Sequence, residues 1–458
     1  MRDCEKVGSL MRTDKELFST KALVRLIIPL IIEQSLAILV GMCDGVMVSS
    51  VGEAAISGVS LVDMINNVVL NLFAALATGG AVVTSQYLGA RNRSAARDSA
   101  GQLVTMSLFF GLVVMAACLA FAHGMLKLFF GSIAGDVMAA GLTYFRITAL
   151  SFPFIALYNA GAAIFRSVGN SKLSMKVSVL MNLVNVAGNA LCIYGLKMGV
   201  AGVAVPTLVS RAVAAAVILS IAAGKDQELS VGRGNLLPLR PKMMGKILHI
   251  GIPSAFENSL FQLGRVVVVS MIALFGTSQT SANAVANNLD AVGVIIGQAM
   301  GLAMVTVVGR CIGAGDTKQA TYYTKKLMLW VYLSQGALNI VLMIFVNPLI
   351  GLYSSLSPET VALARVLVLT HQGFAVLLWP ASFVLPNALR AANDVRFTMV
   401  VSIASMAILR VGASWLLCVH FGMGAVGVWI AMVLDWVCRT AFFVTRMVSG
   451  KWKTKYIG

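Results

Sequence analysis

The chain has 458 residues, of which 58% are apolar and only 12% are charged. Its mean hydropathy is +0.86. Soluble domains carry roughly 25% charged residues, so this composition excludes an ordinary soluble protein and indicates a membrane protein. The formal net charge of +17 would suit a nucleic-acid-binding protein, but the basic residues form short clusters between apolar segments. We therefore expect no nucleic-acid partner.

Twelve apolar segments follow one another along the chain, each of about 20 to 28 residues and long enough to cross a hydrocarbon core of roughly 30 Å as an α-helix. They lie near residues 23–49, 56–84, 99–122, 138–164, 174–195, 200–223, 246–274, 281–308, 323–349, 359–388, 397–420 and 424–447. We predict an all-α polytopic membrane protein with twelve transmembrane helices.

The same sequence pattern occurs twice at a constant offset, which equals the spacing from Pro29 to Pro253 and which we call the repeat offset. Other pairs with this spacing include Glu33 and Glu257, Gly52 and Gly276, Gly89 and Gly313, and Arg166 and Arg390. Such repeats are typical of secondary transporters, in which two halves of the chain enclose a cavity. Because each half has an even number of predicted spans, both halves enter the membrane in the same direction. We therefore predict a parallel repeat about an axis along the membrane normal.

Lysine and arginine cluster at the N-terminus and after every even-numbered span, whereas the odd-numbered connections carry only Lys127 and Lys197. By the positive-inside rule, both termini are predicted to be cytoplasmic, in a multi-pass protein of the plasma (inner) membrane. The expected organisation is an N-terminal segment, a first six-span lobe, a linker, a second six-span lobe and a tail. These parts cover residues 1–22, 23–223, 224–245, 246–447 and 448–458.

The sequence lacks the motifs of metal, redox and nucleotide chemistry. Its seven cysteines have no CxxC or metal-ligand spacing, and no Gly-rich loop precedes a Lys-Ser/Thr pair. We predict no catalytic residues, no metal site and no cofactor, so that an ion gradient drives transport or transport is passive. The expected partners are small organic substrates and the lipid bilayer, and we expect a monomer.

Carboxylates at lipid depth cost about 2.5–3.5 kcal/mol on insertion scales, so they mark ion or substrate pathways. The first predicted span carries Glu33 and Asp44, eleven residues apart and therefore on one helical face. The fifth span carries Asn182, Asn185 and Asn189 on one face of an otherwise apolar segment. These amides could orient a carboxylate and help to solvate a cation, or they could form hydrogen bonds between helices.

A second polar group lies on the second and eighth predicted spans, where the repeat exchanges carboxylates for amides. Asp63 corresponds to Asn287, and Asn66 corresponds to Asp290. Together with Asn67, these side chains are expected to line a central cavity and attract cationic substrates. The alternative is that they are polar contacts between packed helices.

Glu33 and Glu257 each lie four residues after a proline, Pro29 or Pro253, near the predicted cytoplasmic end of a span. A proline inside a helix frees a backbone carbonyl, which needs another partner. This symmetric arrangement predicts a structural or hinge role, with Arg265 or an arginine on another helix as the partner of Glu257. The alternative is that Glu257 binds substrate or a proton.

Three segments carry a resemblance to a known family: "MCDGVMVSSVG", "GGAVVTSQYLGA" and "FRSVGNSKLSMKVSVLMNLVNVAGNALCIYG". In order and spacing, they resemble prokaryotic exporters of the MATE (multidrug and toxic compound extrusion) family, over practically the whole chain. This resemblance implies two six-helix lobes in a V-shaped arrangement. It also implies Na⁺- or H⁺-coupled antiport of organic cations and other amphipathic compounds.

The resemblance also suggests a coupling site. Asp44 occupies the position of the first-helix aspartate with which the family binds its coupling cation. The sequence is similar to the damage-inducible (DinF) branch but has Asn189 where that branch has a second aspartate. A tight Na⁺ site favours several oxygens and more than one negative charge, whereas burial favours the neutral, protonated form of a lone carboxylate. We therefore expect H⁺ rather than Na⁺ coupling.

Two other functions remain open at this point. A lipid-linked precursor flippase of the same superfamily would use a basic cavity, and four arginines lie within predicted spans. They are Arg146, Arg211, Arg265 and Arg410. A polytopic membrane enzyme would require convergent His, Asp or Cys residues at a helix end, and the sequence shows no such group.

Overall fold

The computed structural model describes residues 16–131, 134–224, 227–353 and 356–455. Within these ranges the secondary structure is helical and includes no β-strand. Twelve long segments are named α1 to α12 in chain order: Thr20–Ser49, Glu53–Gly89, Arg93–Phe130, Gly135–Leu150 with Phe152–Ser167, Ser171–Gly195, Ala201–Ala222, Pro241–Ala273, Thr277–Gly293 with Ile295–Gly313, Thr317–Ile344, Pro358–Ala391, Val395–His420 and Gly424–Val448. Short helices occur at Arg233–Leu236, Val346–Gly351 and Lys451–Thr454.

These helices are long and apolar enough for a polytopic membrane protein. In the described ranges, ten helices could cross a membrane individually, and α4 makes eleven if its two parts, bent by 46°, form one span. The remaining segment, α7, has 33 residues and is therefore about 50 Å long, but Glu257 and Arg265 lower its hydropathy. The all-α fold class predicted from the sequence is confirmed.

Buried apolar side chains form one core in each half of the molecule and a third core that joins the halves. One core contains only residues between Val48 and Ala222, and we call helices α1 to α6 the N-lobe. A second core runs from Val268 to Trp452, and we call α7 to α12 the C-lobe. The first turns of α1, including Leu23, belong to this second core. Helix α1 therefore packs against the C-lobe at its beginning and against the N-lobe at its end.

The lobes approach closely where α2 and α8 end. A Cβ atom added to Gly89 would lie 2.0 Å from the carbonyl oxygen of Arg310, and one added to Gly313 would lie 1.8 Å from that of Gln86. The repeat offset relates Gly89 to Gly313 and Gln86 to Arg310, so the repeat makes the same contact twice. Because the C-terminal ends of both helices meet on one side, the repeat is parallel and not inverted.

Hydrogen bonds between the lobes follow the same symmetry. Gln86 Nε2 donates to the carbonyl oxygen of Ala391 at 2.8 Å, and Arg310 Nη2 donates to that of Ser167 at 2.7 Å. Ser167 and Ala391 are also related by the repeat offset. We call the contact formed by Gln86, Gly89, Arg310 and Gly313 the lobe crossing. Since basic clusters lie beside it in the sequence, we call this side of the molecule the basic side.

Candidate functional site

A chain of hydrogen bonds joins α1, α5 and α6 inside the N-lobe. Asn189 Nδ2 donates to Asp44 Oδ1 at 2.7 Å and lies 3.3 Å from Asn185 Oδ1. Asn185 Nδ2 in turn donates to Thr207 Oγ1 at 3.1 Å. Asn182 lies one turn away, and its buried Nδ2 has no partner among the described residues. The structure thus brings Asp44 together with the amide face of α5.

Close packing of α5 on α6 makes this chain possible. A Cβ atom added to Gly188 would lie 2.7 Å from Pro206 Cβ, so the two helices approach closely beside the amide residues. Asn185 and Asn189 follow the spacing of one helical face and are both buried. Buried amides need hydrogen-bond partners, and here the partners come from each other, from Thr207 and from Asp44.

Asp44 is held through one of its two carboxylate oxygens. No hydrogen bond reaches Oδ2 within the part of the chain that the structure describes, and the side chain is half-buried. The neighbouring Asn189 Oδ1 is buried and has no partner among the described residues. A carboxylate with one open oxygen beside a spare amide acceptor can take up a proton or contribute to the shell of a small cation.

A second carboxylate of the N-lobe lies within electrostatic range of the first. Asp63 Oδ1 accepts hydrogen bonds from Tyr144 at 3.1 Å and from Asn66 at 3.4 Å. Arg211 on α6 interacts electrostatically with both Asp44 and Asp63, so the site holds two carboxylates and one arginine.

Arg211 is fixed in this site by a hydrogen bond from its Nη1 to Ser151 Oγ at 2.7 Å. In the sequence it stood out only as a cation inside a predicted span. Tyr144, Ser151 and Thr207 were not predicted, because hydroxyl-bearing residues are common in apolar helices and carry no signal there.

Among the described residues, neither Asn67 nor Asn287 forms a hydrogen bond to Asp44 or Asp63. The Asn67 side chain is exposed, and its backbone carbonyl accepts a hydrogen bond from Asn71 at 2.7 Å. Asn287 Nδ2 donates to the backbone carbonyl of Asn283, one turn earlier, at 2.8 Å. Their place in a substrate cavity stays a prediction.

Asp290 is buried in the C-lobe and already has partners. Its Oδ1 lies 3.1 Å from His371 Nδ1 and accepts a hydrogen bond from Gln372 Nε2 at 3.3 Å. Arg265 and Arg410 also interact with it electrostatically. Asp290, whose repeat counterpart is Asn66, therefore differs from Asp63 of the N-lobe in interacting with two arginines and not one.

A second buried carboxylate of the C-lobe, Asp435, has a fully inaccessible side chain. Arg439 Nε donates to its Oδ1 at 2.9 Å, and Arg410 Nη1 lies 4.0 Å from its Oδ2. Ser405 donates a hydrogen bond to the same carboxylate. Asp435 thus offsets part of the positive charge of two arginines, one on α11 and one on α12, within the lobe.

The repeat places an equivalent ion pair in each lobe. Glu33 Oε1 lies 3.6 Å from Arg166 Nη1, and Glu257 Oε1 accepts from Arg390 Nη2 at 2.6 Å. The partner of Glu257 is therefore Arg390, an arginine on another helix, which was one of the two expected alternatives, and not Arg265. The repeat offset relates Arg166 to Arg390, so the sequence repeat already contained this pairing. The eight-residue spacing from Glu257 to Arg265 on one helix pointed to Arg265 as another candidate.

Pro29 and Pro253 lie inside continuous helices, α1 and α7. Proline removes the hydrogen bond to the carbonyl four residues earlier, which in α1 belongs to Arg25. Ser171 Oγ lies 3.5 Å from that oxygen and donates to the carbonyl of Leu26 at 2.6 Å. At least in the N-lobe, the backbone group freed by proline thus has a neighbouring hydroxyl.

The fold and its internal repeat define a polytopic membrane transporter. The profile of the MatE family matches residues 29–191 and 253–416, and the starts of these two matches are separated by the repeat offset. The chain belongs to the MatE family, which confirms the resemblance seen in its motifs.

Two known proteins are similar to this chain along nearly their whole length. An uncharacterized transporter of Bacillus subtilis, YisQ, is 28% identical over 95% of this chain and 96% of its own. NorM of Thermotoga maritima, a probable multidrug resistance protein, is 26% identical over 95% of this chain and 94% of its own.

A solved structure of a MOP superfamily transporter from Pyrococcus furiosus superposes with a TM-score of 0.88. It has 22% sequence identity and covers 96% of this chain and 98% of its own. An outward-facing MATE family transporter gives a TM-score of 0.87, with the same identity and the same coverage. The predicted fold of twelve transmembrane helices in two parallel six-helix lobes is confirmed.

Proposed function

We propose that this protein is a secondary active antiporter that exports organic cations or amphipathic drugs in exchange for protons. Its relatives include proteins named for multidrug resistance, such as NorM of Thermotoga maritima, and for multidrug export, such as MepA of Staphylococcus haemolyticus. The positive-inside pattern supports cytoplasmic termini in the plasma membrane. We propose that the lobes, residues 23–223 and 246–447, move as units joined by residues 224–245.

The hydrogen bond from Asn189 Nδ2 to Asp44 Oδ1, at 2.7 Å, carries this proposal. It places a half-buried carboxylate at the end of a neutral amide chain, with its second oxygen open. Amides and hydroxyls can donate to an ionised carboxylate and accept from a protonated one. The site therefore accommodates both protonation states of Asp44, as a coupling group requires.

Proton uptake at Asp44 would change the charge of the N-lobe site. An ionised Asp44 attracts a cationic substrate and interacts with Arg211. A protonated Asp44 loses both attractions, so proton entry would favour substrate release and a rearrangement of the N-lobe. Because binding linkage is reciprocal, substrate binding would in turn favour loss of the proton.

Sodium coupling and lipid flipping receive weaker support from the same geometry. Asp63 supplies a second negative charge near Asp44, but Arg211 offsets it, and the amide at position 189 adds none. A flippase would use free intramembrane arginines, whereas Arg410 and Arg439 of the C-lobe surround Asp435. The arginines around Asp435 therefore do not form a basic cavity that is open to a polyanion.

Ethidium efflux from proteoliposomes, with a pH gradient or a Na⁺ gradient imposed separately, tests this proposal. We expect efflux to follow the pH gradient in the wild type and in Asp136→Asn, a control at an exposed carboxylate. Asp44→Asn should lose gradient-driven efflux but still bind ethidium, as measured by fluorescence polarisation. Efflux that follows only the Na⁺ gradient, or normal transport by Asp44→Asn, would show the proposal to be wrong.

A further inference from the structure

Two clefts flank the lobe crossing on the basic side of the molecule. The tail cleft, of about 460 Å³, is lined by residues that include Gln86, Tyr87, Lys242, Lys246, His249 and Lys455. The linker cleft, of about 440 Å³, is lined by residues that include Arg25, Asn170, Lys172, Gln227, Glu228 and Leu229. The tail cleft takes its name from Lys455, which follows the C-lobe, and the linker cleft from residues 227–229, which follow the N-lobe.

The repeat offset relates the two clefts to each other. His249 of the tail cleft corresponds to Arg25 of the linker cleft. Asn393 and Gly169, which also line these clefts, correspond in the same way. Each cleft also receives a segment that follows the last helix of a lobe. They are thus equivalent positions in the two halves of the repeat.

The equivalent clefts differ in charge. In the linker cleft, whose lining also includes Arg25 and Lys172, Glu228 supplies a carboxylate that lies 3.9 Å from Arg93 Nη2. In the tail cleft, Lys242, Lys246 and Lys455 converge, and no Asp or Glu is among the lining residues that the structure describes. Three like charges around one partly enclosed volume repel each other and create a positive potential that favours an anion. The tail cleft therefore lacks the counter-charge that its equivalent contains.

Neutral hydrogen-bonding groups complete the lining of the tail cleft. Asn393 Oδ1 accepts a hydrogen bond from Gln86 Nε2 at 3.1 Å, which leaves Asn393 Nδ2 available as a donor. Lys246 Nζ donates to Tyr87 Oη at 3.1 Å and lies 5.4 Å from the centre of the Tyr87 ring. Ammonium and amide donors around one volume match the several acceptor oxygens of a phosphate group.

The tail cleft also spans both lobes. Gln86 and Tyr87 belong to α2 of the N-lobe, whereas Lys242 and Lys246 belong to α7 of the C-lobe. Gln86 is at the same time the residue that donates to Ala391 across the lobe crossing. An anion in this cleft would therefore contact both lobes beside the point where they meet.

We propose that the tail cleft binds a phosphate-bearing anion, either a phospholipid headgroup or a free phosphate compound, and that this anion holds the lobes together on the basic side. A ligand stabilises the state to which it binds more tightly, and separation of α2 from α7 would divide this site. The inference is independent of the identity of the coupling ion.

Thermal unfolding of the protein in nanodiscs tests binding and separates the two sources of phosphate. One arm adds inorganic pyrophosphate to phosphatidylcholine nanodiscs, and the other replaces part of that lipid with phosphatidylglycerol. We expect a higher Tm in at least one arm. The variant Lys242→Gln/Lys455→Gln, which keeps the contact between Lys246 and Tyr87, should lose this increase.

Lys172→Gln in the linker cleft is the matched control and should keep the full increase in Tm. Sodium chloride at equal ionic strength separates a bound anion from general screening, and we expect it to leave the wild-type Tm unchanged. No increase in either arm, or an equal increase in the double variant, would contradict the binding site.

Transport measurements test whether the bound anion restrains the lobes. In proteoliposomes that contain the lipid or the pyrophosphate that raises Tm, ethidium efflux by the wild type should slow severalfold, while the double variant should be unaffected. If the wild type binds the anion but transports at the same rate with and without it, the proposed restraint is wrong.

Discussion

The N-lobe and the C-lobe make equivalent contacts at the lobe crossing but surround the carboxylates inside each lobe with different charges. In the N-lobe, Asp44 and Asp63 both interact with Arg211, and their other neighbours are neutral amides and hydroxyls. In the C-lobe, Asp290 and Asp435 lie among three arginines and one histidine. These are Arg265, His371, Arg410 and Arg439.

This difference shows how a duplicated scaffold can specialise. The lobe crossing needs the same close backbone approach from both halves, so its glycines and donors recur at the repeat offset. Asp435 is held in an ion pair with Arg439, whereas Asp44 has an amide partner and one oxygen without a hydrogen bond from the described residues, where it can take up a proton. The comparison therefore favours the N-lobe as the ion-coupling half.

The largest expected effect is on the stability of the C-lobe. Asp435→Asn removes the carboxylate shared by Arg410 and Arg439 and leaves both arginines without it. Breaking a buried ion pair in this way should lower the free energy of unfolding by about 3–5 kcal/mol. Thermal unfolding in detergent measures the loss, with the exposed Asp136→Asn as control. A Tm equal to that of the control would show that Asp435 does not stabilise the C-lobe.

The lobe crossing should be equally sensitive in both halves. Gly89→Ala and Gly313→Ala each place a methyl group against a backbone carbonyl, and overpacking of this kind costs about 1–3 kcal/mol. We expect similar losses of Tm for the two variants. Gly124→Ala, in open space on α3, is the control and should not lower stability. Clearly unequal losses would mean that the symmetric contacts differ in energy.

The repeated glutamate–arginine pairs should respond unequally. Glu33 also accepts hydrogen bonds from Ser174 and Tyr158, whereas Glu257 Oε2 is buried and has no partner among the described residues. Loss of Arg390 therefore leaves the Glu257 carboxylate with fewer partners than loss of Arg166 leaves the Glu33 carboxylate.

Arg390→Gln should accordingly lower the free energy of unfolding by about 1 kcal/mol more than Arg166→Gln does. Paired denaturation curves of the two variants measure this difference. A larger loss for Arg166→Gln would reverse the comparison.

The smallest effect on transport is expected when either glutamate is replaced by its amide. Glu33→Gln and Glu257→Gln preserve the shape and one acceptor oxygen of each side chain but remove the charge, so substantial ethidium efflux should remain if their role is structural. Efflux is normalised to the amount of reconstituted protein. Complete loss in both variants at normal expression would assign them to ion or substrate binding.

Patterns along one helix were predictable from the sequence, whereas contacts between helices were predictable only in part. Spacing placed Asn185 and Asn189 on one face, and the family resemblance drew attention to Asp44. The structure brings these groups together. Tyr144 and Ser151 could not be foreseen, because their contacts depend on how α4 rotates against α2 and α6. Side-chain periodicity does not define that rotation.

The internal repeat was the most reliable guide to tertiary structure. It predicted the parallel arrangement of the lobes, and it contained the pairing of Glu257 with Arg390. Spacing along α7 suggested Arg265 as one candidate and left the other, an arginine on another helix, without a definite position, because neighbours on one helix are easier to recognise than residues on separate helices. The exposure of Asn67 was also unpredictable, since a helical face shows its direction only once its neighbours are packed.

The most direct test of Asp44 as the coupling carboxylate is the release of protons when ethidium binds to the purified protein. A pH indicator in weakly buffered solution reports it, and a fluorescence titration confirms binding. The wild type should release about one proton per bound ethidium, because substrate and proton compete through Asp44. Asp44→Asn should bind ethidium without releasing a proton. Equal release by both proteins, or none by the wild type, would contradict the assignment of coupling to the N-lobe.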